Sequence, residues 1–415
     1  MWKRRKRTIL IALTFLVLAF LLIRSRNGHS QSIYDSFNGI TCDEKKGRAL
    51  LYALCHSYHT GIVAGNLCYD LCTSRNLFIK QCLSHNDKNT IFAAVLNKQD
   101  IILKTKKAAA YSSWEDIFPA SNVVDAFVLR QSFSAAVYDH VVTQLLHIDD
   151  VISDRHKLSN LSPDDFLKYL MHMPSVSSYT EAEMRSLWQL LHQDEYYLLQ
   201  VLKDLKHFPK IFGTCGRFYA VEKVETLTSL VGIRVISASI SWKIQVKVAL
   251  EIMDFVRELN LQGAYGFNWH HCDIHGENFG INAMGELKAI DVDMLYTSEK
   301  LSEIFEEQSE NCTSHKVCKF FDCASQCNLE TNRCNSQVIS NNLQVVCQNL
   351  FRSRWFIRGV LASVPLRSKK KFDEILNECV ELTTTPWSKF KYDRIFNTLQ
   401  SYLLEEQKFL SRHAV

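Results

Sequence analysis

The sequence predicts an α+β fold of two lobes, cross-linked by disulfides and preceded by one transmembrane helix. Three observations carry it. A basic start, Lys3 to Arg7, runs into sixteen uncharged residues, Thr8 to Ile23. Fourteen cysteines all lie beyond that run. Short apolar runs bounded by polar turns alternate with longer stretches of helical periodicity.

At about 1.5 Å per residue the apolar run reaches about 24 Å. That fits a thin early-secretory bilayer when Arg24 and Arg26 snorkel. The positive charge precedes the run, so residues 1–7 form a cytoplasmic tail, 8–23 a signal anchor and 24–41 a lumenal stem. The expected location is the endoplasmic reticulum membrane, single-pass and type II, with the Golgi as the alternative. A cleaved signal peptide is the rival, but the run exceeds a usual signal core and no small-x-small site follows it closely. The arginines read either as a retrieval signal or as topology-setting charge. Five basic residues in the first seven account for more than the net charge of +4. The remaining chain is near neutral, which excludes a nucleic-acid surface. Hydrophobic content of 47% with 22% charged residues excludes a disordered chain.

Cys42, Cys55, Cys68, Cys72 and Cys82 form one cluster, residues 42–82. Cys312, Cys318, Cys323, Cys327, Cys334 and Cys347 form a second, residues 312–347. Behind a membrane-targeting start, such clusters read as disulfides, although the pairing is not readable from spacing. Zinc at Cys68-x3-Cys72 and Cys323-x3-Cys327 is the alternative; neither cluster has two clean close-spaced doublets. Asn160 and Asn311 head glycosylation sequons, usable only in the lumen, and Pro163 weakens the first.

Residues 91–96 and 101–104 read as strands around the turn Asn97–Asp100. Residues 108–192 are mostly helical, with apolar residues at helical spacing. A further amphipathic helix carries Glu195. Residues 210–212 and 218–221 form a hairpin around Gly213–Gly216. Trp242 to Leu259 is a strongly apolar helix, and the tail 370–411 is helical with loops. The lobes are assigned to residues 83–224, with the helical insert, and 225–415, with a cysteine-rich insert at 312–347.

The chemistry lies in His271-Cys272-Asp273-Ile274-His275-Gly276-Glu277-Asn278. A strand, Phe279–Ile281, follows. Then comes an apolar strand ending in Asp291, eighteen residues after Asp273. The pattern resembles the protein-kinase catalytic loop, His-Arg-Asp followed by Asn, and its downstream magnesium-binding Asp. Phosphoryl transfer needs a carboxylate near the acceptor hydroxyl and oxygen ligands for magnesium. Lys104, on a strand, and Glu195, on a helix, stand in the order of a phosphate-pairing lysine and its glutamate partner. Alone, each reads as an ordinary surface charge.

The wider pattern resembles the divergent protein kinase domain proteins of the endoplasmic reticulum, subfamily 1. Its marks are the anchor, the first cysteine cluster, the insert between Lys104 and Glu195, the Phe212-Gly213-x-Cys215-Gly216 turn, and the cysteine-rich insert after Asp291. It implies a two-lobed protein-kinase-like fold with an EF-hand-derived helical insert. It also implies ATP and magnesium as cofactors, with Asp273 as base, Lys104 on the phosphates, and Asn278 and Asp291 on the metal. The acceptor would be a secretory protein or a glycan. Residues 220–224 would be the adenine-gripping hinge. Glu183 falls at the last ligand position of the EF-hand. His172, Pro174 and Val176 stand where oxygen ligands belong, and Ser177 where the turn glycine belongs, so no calcium binding is expected.

Several departures favour a rival reading, an inactive pseudokinase used as a binding or scaffold module. No glycine lies between Gly65 and Gly213. A covering loop at Ser84–Asn89 would therefore lack the close backbone approach that glycine allows. Cys272 replaces the usual Arg, His275 stands where many kinases have Lys, and Asp291-Val292-Asp293 lacks the usual Phe-Gly. A disulfide-rich structural protein would be preferred if Asp273, Asn278 and Asp291 failed to converge.

Overall fold

Alternating burial along residues 89–96 and 99–106 marks the centre of the first sheet. The computed structural model describes residues 42–85, 89–106, 126–146, 161–170, 178–227, 238–260, 268–308, 311–352, 359–382 and 388–413. The tail, anchor and stem read from sequence, Asn160, and the positions of His172, Pro174, Val176 and Ser177 lie outside them. Among the described residues, no helix is long and apolar enough to cross a membrane.

Strands β1 (Leu77–His85), β2 (Asn89–Leu96), β3 (Gln99–Lys106), β4 (Ile211–Cys215) and β5 (Phe218–Glu222) form one antiparallel sheet in the order β1-β2-β3-β5-β4. Side chains alternate across a strand. Ile101 and Leu103 therefore point to one face and share a core with Phe92, Phe218 and Ala220. Ile102, Lys104 and Lys106 belong to the other face, where Ile102 packs against the same core as Tyr219 and Val221. The β2–β3 turn is Asn97-Lys98, both at positive φ, the two-residue hairpin geometry that matches strand twist. Sequence reading finds two strands here and misses β1. Register shifts at Ile79/Gln81 and Cys82/Ser84 break its alternation, so no period of two is visible.

The first cysteine cluster is part of this lobe. Helix α1 (Glu44–His59) is capped by Asp43, whose Oδ1 accepts from the Lys46 amide at 3.1 Å. Its Leu51 and Leu54 enter the same core as Phe92 and Leu103. Disulfides join Cys42 to Cys82, Cys55 to Cys72, and Cys68 to Cys215. A Cβ on Gly65 would lie 2.2 Å from the Thr214 carbonyl oxygen, so only glycine permits the approach. The Leu67 amide donates to that carbonyl at 2.9 Å.

Helices α2 (Ala126–Asp139), α3 (Pro163–Leu170), α4 (Glu181–Leu191) and α5 (Asp194–Val201) follow β3. Glu183 completes a capping box with Thr180 at the start of α4. Helix α5 is one residue from α4's C-cap and ends sooner than the apolar run Leu198 to Leu205 suggests.

The second lobe is built on α6 (Ala238–Asn260). Its Val246, Ala249, Ile252, Met253 and Val256 are fully buried, a helical stripe. Helices α8 (Asn342–Val346), α9 (Leu366–Val380) and α10 (Ser388–Arg412) pack in the same core, whereas α7 (Ser298–Glu307) puts Leu301 and Phe305 into a separate small core. Strand β7 (Trp269–His271) pairs with β10 (Leu295–Thr297), while β6 (Glu225–Thr226), β8 (Phe279–Ile281) and β9 (Leu287–Ala289) form a small sheet. Asp291 lies two residues beyond β9, and Lys104 two residues before the end of β3.

The second insert forms a sheet of β11 (Lys319–Phe320), β12 (Cys323–Asn328) and β13 (Arg333–Val338). Its core is Leu301, Phe305 and six cysteines, too little apolar volume to hold without cross-links. Cys312 bonds Cys327, Cys318 bonds Cys334, and Cys347 bonds Cys379 on α9. Cys272 bonds Cys323. All fourteen cysteines are thus paired, so Cys215, Cys272 and Cys379 join the two clusters read from sequence. Cys68 and Cys72 have different partners, as do Cys323 and Cys327, so neither doublet is a zinc pair.

Candidate active site

The inward face of β3 meets the start of α5. Lys104 Nζ lies 2.6 Å from Glu195 Oε1 and donates to the Ile290 carbonyl at 3.0 Å. Both side chains are only about one-seventh exposed (15% and 14%), so the pair is shielded from screening. Tyr219 on β5 donates from its hydroxyl to the other glutamate oxygen at 3.0 Å. Burial, then the Glu195 charge, pushes the Tyr219 phenol far up, so it stays a donor.

The loop between β7 and β8 supplies the second group. Asn278 is buried, and its amide nitrogen donates to the Asp273 carbonyl at 3.0 Å and to Asp273 Oδ2 at 2.9 Å. Both amide hydrogens are used, which leaves the amide oxygen for a cation. The Ile290 amide donates to the Asn278 carbonyl at 2.9 Å, placing Asp291 beside the loop. His275 Nε2 lies 3.3 Å from Asp273 Oδ2. All five polar positions read from sequence therefore fall in one connected cluster: Lys104, Glu195, Asp273, Asn278 and Asp291.

Asp291 is exposed, yet surrounding protein and then the charges of Asp293 and Glu195 push its pKa up to about 7, against the pull of Lys104. A carboxylate held partly neutral among like charges is suited to receive a cation.

Sequence reasoning misses a second lysine set. Lys106 is two residues beyond Lys104, on the same face, and its Nζ lies 3.0 Å from Asp194 and 3.5 Å from Asp293. Its amide donates to Gln193 Oε1 at 2.7 Å. The β3 face thus grips α5 and the post-β9 segment twice over. Val292 is fully buried and Asp293 is paired, so the residues in place of Phe-Gly are held by packing and charge. The i, i+2 spacing of Lys104 and Lys106 is visible in sequence, but alone it reads as solvated surface charge. Lys106→Met is expected to cost about 1 kcal/mol, since these groups are a third or more exposed. Denaturant titrations should show that cost shrinking at high salt.

Asn311, by contrast, lies in the insert, exposed and at positive φ. Glu183 lies in the capping box on α4.

Two family models match the chain. One, the N-terminal cysteine-rich endoplasmic reticulum region of FAM69, covers residues 4–162. The other, the protein-kinase domain of FAM69, covers residues 187–382. The chain belongs to the FAM69 family. That agrees with the resemblance read from its motifs, and gives the FAM69 chain a kinase-like domain behind a cysteine-rich region associated with the endoplasmic reticulum. Among solved structures, vaccinia related kinase 3 is similar at 11% identity over 80% of this chain and 88% of that chain, with a TM-score of 0.34. That likeness is too weak to assign anything further to the FAM69 chain.

Proposed function

We propose that this protein is a phosphotransferase of the endoplasmic reticulum lumen, anchored by residues 8–23, that moves phosphate from ATP to a hydroxyl of a secretory protein or glycan. The convergence of Lys104, Glu195, Asp273, Asn278 and Asp291 carries the reading. The donor set fits magnesium: two side chains, Asp291 and Asn278, offer hard oxygen ligands from segments that the Ile290 amide ties together. Bound there, magnesium supplies neutralisation of phosphate charge. Lys104, oriented by Glu195 and Tyr219, contacts the phosphates. Asp273, oriented by Asn278, accepts the acceptor hydroxyl's proton, and His275 stands beside it to stabilise the carboxylate. Residues 220–224 hold the adenine. Calcium has no role in this reading, because His172, Pro174 and Val176 stand where oxygen ligands belong.

The absence of glycine between Gly65 and Gly213 favours a second reading, a pseudokinase scaffold. Without glycine in that stretch, no backbone there can approach phosphates as closely as glycine allows. The test uses the full chain purified from an oxidising compartment, with Lys104→Met as control. Mg-ATP should raise the melting temperature of the wild type but not of the variant, and labelled phosphate should pass to secretory acceptors. A shift without transfer selects the scaffold; no shift overturns nucleotide binding.

A further inference from the structure

We propose that Asp322, at the tip of the β11–β12 hairpin, is a positioning residue that fixes Asp273 through the backbone on either side of it. The hairpin turn is Phe321-Asp322, between the paired residues Phe320 and Cys323. Its backbone amide donates to the Cys272 carbonyl at 2.7 Å. Its Oδ2 accepts from the Ile274 amide at 2.8 Å. Its Oδ1 accepts from Asn349 Nδ2 at 2.9 Å, so the carboxylate itself is oriented. The next residue, Cys323, bonds covalently to Cys272. Both peptide neighbours of Asp273 are therefore tied to one two-residue turn of the insert.

The turn is itself strained. Phe321 adopts φ of 52°, a left-handed conformation that is rare for a bulky residue, and is 66% exposed. Nothing in its own burial repays that conformation. Strain of this kind persists where surrounding structure over-determines it. Here the over-determination is the set of ties to residues 272 and 274. A kinase with Arg before the catalytic Asp can couple that loop to a phosphorylated segment. Cys272 removes that route and puts a covalent tie in its place. The insert, carried after Asp291 in sequence, returns to hold the loop before it.

The catalytic consequence rests on the phosphotransferase reading; the mechanical one does not. The experiment compares the full-length wild type with Asp322→Ala, Asp322→Asn and the double variant Cys272→Ser/Cys323→Ser. Amide hydrogen exchange is read on peptides spanning residues 271–278, alongside Mg-ATP affinity and turnover. Asp322→Ala should speed exchange in 271–278 about tenfold or more. It should lower kcat about tenfold while leaving KM for ATP within about twofold. Asp322→Asn, which keeps an acceptor oxygen for Ile274, should restore most of both. The serine pair should also loosen the loop, and it serves if Asp322→Ala does not fold. Wild-type exchange rates in the alanine variant overturn the proposal, as do wild-type rates in the serine pair where the alanine variant does not fold. So does a loss of ATP affinity equal to the loss of rate, which marks a general structural role. A wild type without turnover defeats the phosphotransferase reading alone, and the exchange data still decide whether Asp322 positions the loop.

Discussion

Asp291→Asn is expected to raise the melting temperature of the nucleotide-free protein above pH 7 and to abolish its response to Mg-ATP. The two effects have one cause. Surrounding protein, Asp293 and Glu195 raise the Asp291 pKa from 3.8 to about 7. The folded state therefore holds a proton that the unfolded chain releases at about pH 4. Between those values the folded state binds more protons, so this group's contribution to stability falls as pH rises from about 4 to about 7 and then levels. Asparagine carries no charge and lacks that penalty. The difference between variant and wild type should vanish below pH 4 and reach its plateau above pH 7. Asp291 is solvent-exposed, so screening makes the gain smaller than the pKa displacement alone suggests. On the phosphotransferase reading, losing this proposed metal ligand should weaken metal-dependent nucleotide binding by at least the roughly 10–100-fold seen when a ligand's supporting partner is lost. Melting curves across this pH range, with and without Mg-ATP, measure both effects. A variant no more stable than wild type at pH 8 would show that the carboxylates are relieved by solvent.

The cluster was legible in sequence because its parts obey local rules. Asp273 and Asn278 sit in one short loop whose spacing is fixed by chemistry. Asp291 follows an apolar strand, and Lys104 lies in a run of alternating burial. The ion pair between Lys104 and Glu195 spans ninety-one residues and was readable only through the order of motifs. Lys106, Asp194 and Asp293 were not readable, because charged residues flanking a motif look like solvated surface until a sheet face and a helix start are brought together. Tyr219 was hidden for a similar reason. It reads as one more apolar residue of β5, and its hydroxyl acquires meaning only beside Glu195.

The insert shows the same limit more sharply. Clustering announced that residues 312–347 are cross-linked, but not that the insert reaches back to Cys272. The residue looked like a departure from a catalytic pattern. In the fold it is the anchor point of a hairpin, and it lies in the same small core as Cys323. Asp322 carries no motif at all. Its role follows from two hydrogen bonds to residues about fifty positions away, which no local pattern encodes.

Replacing Cys68 and Cys215 together by serine is expected to produce the largest loss of stability of any disulfide deletion here. The bond closes a sequence separation of 147, against 17 for Cys55–Cys72 and 15 for Cys312–Cys327. Chain entropy in the unfolded state grows with the logarithm of that loop, giving about 5 kcal/mol for the long loop and about 3 kcal/mol for the short ones. The surviving contacts keep the fold assembled: the Leu67 amide still meets the Thr214 carbonyl, and the Gly216 amide still meets the Ala64 carbonyl, both at 2.9 Å. The expected outcome is a folded protein with a lower denaturant midpoint, losing more than a Cys55→Ser/Cys72→Ser variant by about 2 kcal/mol. Equal losses would show that native-state packing around the sulfurs, and not the freed chain, dominates. The site should feel the change as well. Cys215 ends β4, β4 pairs with β5, and β5 carries the Tyr219 that holds Glu195 against Lys104. If the disulfide acts through the sheet, the double variant should also weaken Mg-ATP binding, and restoring sulfur at only one position should rescue neither effect.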